Sequence, residues 1–232
     1  MRISEFRFAR TGPEADVQNA VLLNLNRLFP TETFFSWTAV SLPIGAGLPD
    51  IVLVRCYPAV VRLEYSQPRD AEILALLRSS SLSAVEISQR LRRSTKEVEA
   101  DVDELRHRSI LAVEGDRISL VQDYRDVLRE VITIEAKVSN WQKAVAQAAR
   151  NTIFSNYSYV AMPEIVSRRV RQHQEFQLQG VGIVAINAQG EAWVTKRPRR
   201  HRPKVWAYYY QLAILAANHF SGAYDAVSST YR

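Results

Sequence analysis

The feature that most constrains the fold of this chain is residues 132–140, a run with the composition of a buried strand that nevertheless carries two charges. Side chains of a strand alternate between the two faces of its sheet, so Glu135 and Lys137 should point the same way and Ala136 the other way. Lys and Glu are poor strand formers and are seldom buried without a partner. Two of them on one face of a core strand cost stability, and we therefore expect them to have a function.

A second predicted strand begins with another carboxylate. Asp50 follows Pro49 and precedes the apolar run 51–54. Acidic groups at the ends of neighbouring strands, with Lys137 beside one of them, can form a site for a divalent metal with a charged helper. The alternatives are a turn role for Asp50 and a plain ion pair of Glu135 with Lys137 on a solvent-facing strand edge.

Composition narrows the class of protein. With 232 residues, 47% of them hydrophobic, the chain is long enough and apolar enough for a globular core. The net charge of +6 fits a polyanionic partner, although such a charge is also common on basic proteins in general. Cys56 is the single cysteine, which excludes a disulfide framework and a cysteine-based zinc site. We find neither a signal core nor an apolar stretch of about 18 residues, which predicts a cytoplasmic protein without a membrane partner.

The middle of the chain has a pattern of its own. Residues 70–77, 83–91 and 94–108 have helical spacing, and 110–113 and 117–121 flank a Glu-Gly-Asp turn typical of a hairpin. This arrangement resembles a winged helix-turn-helix domain inserted at 69–121, between core segments 1–68 and 122–232. The resemblance implies that the third helix enters the major groove and that Arg92, Arg93 and Lys96 touch DNA. The segment 69–120 has nine Lys and Arg against ten Asp and Glu, which leaves a protein-docking role open.

Further elements are predicted on both sides of this insert. A first helix after residue 11 would be capped by Thr11 with Glu14, and the other expected elements are strands at 34–42, 60–64, 124–138, 157–162, 181–187 and 192–195, helices at 141–154, 164–176 and 205–218, and a basic loop at 196–204. The last helix is apolar on most sides, which favours a core position or a homodimer contact.

The order of these elements carries a second resemblance. A helix, then three strands bearing Pro49-Asp50 and Glu135-Ala136-Lys137, then a helix and another strand resemble the PD-(D/E)xK nuclease superfamily. The resemblance implies an α/β, restriction-endonuclease-like core with a mixed central sheet flanked by helices. It also implies Mg²⁺, with Mn²⁺ as a substitute, held by Asp50, Glu135 and the carbonyl of Ala136, while Lys137 orients or deprotonates the attacking water.

Other site residues follow from the same resemblance. Gln147 would contact the water or the phosphate, and Glu14 would be the acidic residue of the first helix, unless it serves only as a cap. Lys143 and Arg150 are expected either to contact phosphates or to form a solvated face. The charge of the basic loop predicts phosphate contacts from Arg197, Arg199 and Arg200, with a solvated loop as the alternative. The resulting prediction is a metal-dependent deoxyribonuclease whose insert helps to bind duplex DNA, with RNA left open as a substrate. The alternative is a non-catalytic DNA-binding protein or regulator on a nuclease-like scaffold.

Overall fold

A computed structural model describes residues 3–6, 11–30, 35–45 and 47–221 of the chain. In chain order its elements are β1 (Ile3–Glu5), α1 (Pro13–Leu23), α2 (Leu25–Leu28), β2 (Ser36–Val40), β3 (Ile51–Cys56), a first 3₁₀ helix (Pro58–Leu63), α3 (Asp70–Leu77), α4 (Ala84–Leu91), α5 (Thr95–His107), β4 (Leu111–Glu114), β5 (Arg117–Leu120), a second 3₁₀ helix (Gln122–Tyr124), β6 (Leu128–Ala136), α6 (Trp141–Asn151), β7 (Tyr157–Pro163), α7 (Glu164–Val170), α8 (Gln174–Gln179), β8 (Gly182–Ile186), β9 (Ala192–Lys196) and α9 (Trp206–Phe220).

Among the described residues, seven strands form one mixed sheet in the order β1-β2-β3-β6-β7-β8-β9. The pairs β1–β2, β6–β7 and β7–β8 are parallel, whereas β2–β3 and β8–β9 are antiparallel. The predicted α/β class with a mixed central sheet flanked by helices is therefore confirmed. Strands β3 and β6 are neighbours in this sheet. Asp50 immediately precedes β3 and Glu135 is the penultimate residue of β6, so the two acids lie at adjacent strands.

The chain divides into two compact units. The unit that contains the sheet, called here the sheet unit, takes its described residues from Met1–Arg55 and Glu130–Lys204. The other, called the helical unit, takes its described residues from Cys56–Arg129 and Val205–Arg232. These bounds differ from the predicted domains 1–68, 69–121 and 122–232. The final helix accounts for much of the difference, since α9 packs on α3 and on the first 3₁₀ helix.

Alternating side chains of β6 explain the two-sided core of the sheet unit. Ile132, Ile134 and Ala136 join a cluster with residues of α1, whereas the residues of β7 that point the other way pack on the alanine-rich face of α6. The intervening β6 side chains, Thr133 and Glu135, are polar and share the α6 side. Thr133 is satisfied there by donating a hydrogen bond to the Ser158 hydroxyl (2.9 Å).

The helical unit is held together by three helices, a hairpin and α9. Ser83 and Ser94 each form a complete capping box, so the serine-started helices predicted at 83–91 and 94–108 are confirmed as α4 and α5. Leu82 exchanges backbone hydrogen bonds with Ile118 at the edge of the β4–β5 hairpin (3.0 and 2.8 Å). In α9, the buried Tyr209 and Tyr210 hydroxyls both reach backbone carbonyls of this unit.

Four local predictions are corrected. The N-cap of α1 is Gly12, whose positive φ of 100° suits glycine, and no side chain caps this helix, so the Thr11 capping box is wrong. The strand predicted at 60–64 is a 3₁₀ helix that begins with Pro58.

The helix predicted at 164–176 is two helices, since His173 accepts the N–H of Glu175 and starts α8. The strand predicted from 124 begins only at Leu128. The predicted start of β2 at Phe34 lies outside the described residues.

No helix in the described part of the chain is both long enough and apolar enough to cross a membrane.

Candidate active site

The Asp50 carboxylate is directed at the end of β6. Asp50 is 3% exposed, and its Oδ2 accepts a hydrogen bond from the backbone N–H of Ala136 (2.8 Å). Ala136 is the last residue of β6 and is itself buried. The bond therefore fixes the Asp50 carboxylate against the peptide that joins Glu135 to Ala136, across 86 positions of sequence.

Glu135 lies in the same buried site, and within the described ranges its side-chain hydrogen bond comes from a neutral amide rather than a cation. Its Oε1 accepts a hydrogen bond from the Asn151 side chain (2.7 Å), and only 3% of the residue is exposed. Burial, and after it the negative charge of Asp50, raises the pKa of Glu135 to about 7, against smaller opposing effects of Asn151, Lys137 and Arg150. A carboxyl group with this pKa is poised between its two protonation states near neutral pH.

Lys137 pairs with the first helix. Its Nζ donates to Oε2 of Glu14 (2.7 Å), and 15% of the Lys137 side chain is exposed against 44% for Glu14. The plain ion pair of Glu135 with Lys137 on a solvent-facing edge is therefore not observed, since Glu135 is buried on a strand flanked by β3 and β7. Glu14 does not serve as a cap either, since it holds the Lys137 ammonium.

Helix α6 supplies two amides to the α6 side of the sheet. Gln147 and Asn151 are four residues apart and so share one face of the helix. Asn151, which sequence reasoning missed, binds Glu135; its position one turn after Gln147 was the available signal. Gly47 gives this amide room, because a Cβ at residue 47 would lie 3.2 Å from Asn151 Oδ1. The Oε1 of Gln147 is buried and finds no hydrogen-bond donor among the described residues.

The residues present fit a hydrated Mg²⁺ in two respects. Asp50 and Glu135 supply hard carboxylate oxygens, and Mg²⁺ is usually held by one or two carboxylates while it retains several waters. Burial and the negative charge of Asp50 oppose the ionisation of Glu135 and raise its pKa, and the buried Gln147 Oε1 has no donor among the described residues. A hydrated cation would relieve both. No group of three or more His, Cys, Asp or Glu side chains suited to a metal occurs in the part of the chain that the structure describes.

The phosphate-binding residues predicted in the sheet unit lie at the surface. Lys143 and Arg150 are exposed on α6, and Arg197, Arg199 and Arg200 are exposed on the basic loop. Backbone N–H groups of the basic loop donate hydrogen bonds to carbonyls elsewhere in the sheet unit: Arg199 to Gly180 (3.0 Å), His201 to Asn156 (2.8 Å) and Lys204 to Ile153 (2.7 Å). These bonds hold the backbone of the positively charged loop in place.

In the helical unit the predicted DNA contacts separate into two kinds. Arg92 and Lys96 are exposed in and after the turn between α4 and α5. Arg93 instead binds the buried Asp101, which is 5% exposed and also pairs with Arg69 (3.1 Å). Arg93 thus has a structural partner that explains its position without DNA.

The solvent-facing surface of α5 is acidic. Its exposed charged residues are four acids (Glu97, Glu99, Asp103 and Glu104) and two cations (Lys96 and Arg106). Such a surface opposes the phosphate backbone over most of the helix, since affinity for nucleic acid depends mainly on cations that neutralise phosphates. The turn before α5, rather than its length, is therefore the part of this region suited to DNA.

Comparisons of the chain with models of protein families, with curated proteins and with solved structures found no match.

Proposed function

We propose that the chain is a metal-dependent deoxyribonuclease of the PD-(D/E)xK type, with a restriction-endonuclease-like sheet unit and a winged-helix helical unit that helps to bind duplex DNA. The observation that carries the proposal is the buried pair Asp50 and Glu135, brought to the same peptide of β6 with Lys137 immediately after it. We infer a functional role for this pair because burial and the negative charge of Asp50 both oppose the ionisation of Glu135.

Each residue has a task in hydrolysis. Asp50 and Glu135 would hold Mg²⁺, or Mn²⁺, and the Ala136 carbonyl is the proposed third ligand. The ion, when bound, supplies positive charge against the phosphodiester and lowers the pKa of water. Lys137, kept in place by Glu14, offsets negative charge that develops on the phosphate and orients the attacking water. The unpartnered Gln147 oxygen accepts a hydrogen bond from a water in the site.

DNA contacts are assigned to the exposed cations. Lys143, Arg150 and the basic-loop arginines bind phosphates in the sheet unit, and Arg92 and Lys96 do so in the helical unit. The acidic surface of α5 favours a second candidate role for the helical unit, docking of a protein with a basic surface. In the full chain, Arg92→Ala with Lys96→Ala should weaken DNA binding and lower the salt slope by about 2 if the turn contacts phosphates. Unchanged affinity and slope would favour the protein-docking role.

Cleavage of circular, linear and single-stranded DNA with Mg²⁺, Mn²⁺ or EDTA tests the enzymatic proposal. We expect metal-dependent cleavage that falls at least about 100-fold in Asp50→Asn and in Lys137→Ala while DNA binding persists. Asn at position 50 can still accept the Ala136 N–H, so that variant should fold. Lys143→Ala is the matched lysine control and should lower affinity for DNA more than the cleavage step. Binding without cleavage by the unaltered chain would instead support the non-catalytic regulator.

A further inference from the structure

A cavity of the sheet unit includes neither of the carboxylates proposed to hold the metal, although two of its arginines belong to the basic loop. It has a volume of about 670 Å³, and its lining includes residues from α2, β6, β7, β9 and the basic loop. Ile132 and Tyr159, which line it, belong to the cluster on the α1 side of the sheet. Glu135 points to the α6 side, where it meets Asn151. The cavity and the carboxylate pair thus lie on opposite faces of the sheet.

The charge of the cavity is positive and largely uncompensated. Four arginines and one glutamate line it. Glu130 is occupied by Arg55 (2.6 Å), which also donates to the backbone carbonyl of Phe29 (2.8 Å). The other three arginines (Arg27, Arg197 and Arg200) form no ion pair with any residue that the structure describes. Arg27 donates one weak hydrogen bond to the Ala192 carbonyl (3.3 Å). The lining therefore has a surplus of three positive charges for an anion.

The lining of the cavity also contains aromatic side chains. Tyr157, Tyr159 and Trp193 line the cavity, and the Tyr159 ring is held edge-on by Phe29 at 5.2 Å between centroids. Gly182 makes this packing feasible, because a Cβ there would lie 2.6 Å from the Tyr159 ring and 2.8 Å from Pro198. Pro198 is on the basic loop between the cavity arginines. One glycine therefore lets the aromatic wall and the arginine-bearing loop come together.

We propose that this cavity is a binding site for a nucleoside phosphate, with the base packed on the tyrosine and tryptophan side chains and the phosphate bound by Arg27, Arg197 and Arg200. The volume is in the range of small-molecule sites, and aromatic faces accept any base because every base has a π-face. Arginine binds phosphate oxygens through its planar fork of N–H donors. A free nucleotide and the terminal nucleotide of a strand share this chemistry.

The test is binding by isothermal titration calorimetry to the full chain in EDTA, where metal-dependent cleavage cannot contribute. The probes are the four 5′-mononucleotides, the matching nucleosides, inorganic phosphate, and a short single-stranded oligonucleotide with or without a 5′-phosphate. We expect at least one nucleotide to bind at least about tenfold more tightly than its nucleoside, because the charged contacts are lost with the phosphate. Tighter binding of the 5′-phosphorylated oligonucleotide than of the mononucleotide would identify a strand end as the source.

The double variant Arg197→Ala with Arg200→Ala should weaken nucleotide binding at least about tenfold. Arg169→Ala removes an exposed arginine of α7 that does not line the cavity and is not assigned to DNA, and it should leave the nucleotide affinity unchanged. The proposal is overturned if no probe binds, if phosphate alone binds as well as the nucleotide, or if Arg169→Ala weakens binding as much as the double variant. Loss of cleavage activity in Asp50→Asn with intact nucleotide binding would separate the two sites.

Discussion

Both units bury carboxylates, and Asp101 of the helical unit and Glu135 of the sheet unit differ in the groups that face them. In the helical unit, Asp101 is 5% exposed and is matched by two arginines, Arg69 and Arg93. In the sheet unit, Glu135 is 3% exposed and is faced by a second acid, Asp50, and by a neutral amide. Burial of a carboxylate alone therefore says little about function. Asp101, which two arginines bind, has a structural role, whereas Glu135, whose ionisation is opposed by burial and by Asp50, is a candidate for chemistry.

The largest expected effect comes from neutralising Asp101, the acid that two arginines bind. Asp101→Asn leaves the Arg93 side chain, which is 18% exposed, without its anionic partner. Breaking a buried pair in this way costs about 3–5 kcal/mol. Chemical denaturation should show this loss in the free energy of unfolding. Asp103→Asn, on the same helix but in an exposed pair with Arg106, is the control and should change stability by less than about 1 kcal/mol. Equal effects of the two variants would remove the distinction between the buried and exposed pairs.

Removing the negative charge of Glu135 should raise the stability, in contrast to removing that of Asp101. The pKa of Glu135 is raised from 4.5 to about 7, so between these values the native state binds more protons than the unfolded state. The contribution of Glu135 to stability therefore falls as the pH rises from about 4.5 to about 7. Glu135→Gln lacks this penalty and should be more stable than the unaltered chain by about 3 kcal/mol above pH 7, with the two converging below pH 4.5.

This comparison is measured by urea denaturation in EDTA across the pH range. Asp16→Asn removes an exposed carboxylate of α1 and controls for the change in net charge. A stability difference between Glu135→Gln and the unaltered chain that does not vary with pH would show that the charge of Glu135 is not the cause.

Much of the secondary structure that carries the two acids could be predicted from the sequence, because it is encoded by local patterns. The serine caps and the apolar spacing of α4 and α5 identify these helices, and the β-branched run of β6 identifies a buried strand. The convergence of Asp50 with Glu135 was also expected, although it came from the resemblance of short motifs rather than from any local rule. Neighbouring strands then placed both residues at one peptide.

The partners of these residues could not be predicted, because they are set by tertiary contacts between distant segments. Lys137 reaches Glu14 across 123 positions, and Arg93 turns to Asp101 rather than outward. The four basic residues within 90–96 look alike in sequence, but in the structure Arg90, Arg92 and Lys96 are exposed whereas Arg93 pairs with the buried Asp101. The 3₁₀ helix at Pro58–Leu63 likewise shows that an apolar, β-branched run does not specify a strand when a proline begins it.

The smallest expected effect on stability tests whether Glu14 acts on the site through Lys137. Glu14 is 44% exposed, so Glu14→Gln should change the free energy of unfolding by less than about 1 kcal/mol. Cleavage should nevertheless fall by about tenfold, because the Lys137 ammonium loses the group that orients it and a misplaced catalytic group costs rate. Asp16→Asn removes an acid from the same first turn of α1 without touching Lys137, and its activity should match that of the unaltered chain. If both variants reduce cleavage equally, Glu14 acts through the end of the helix rather than through Lys137.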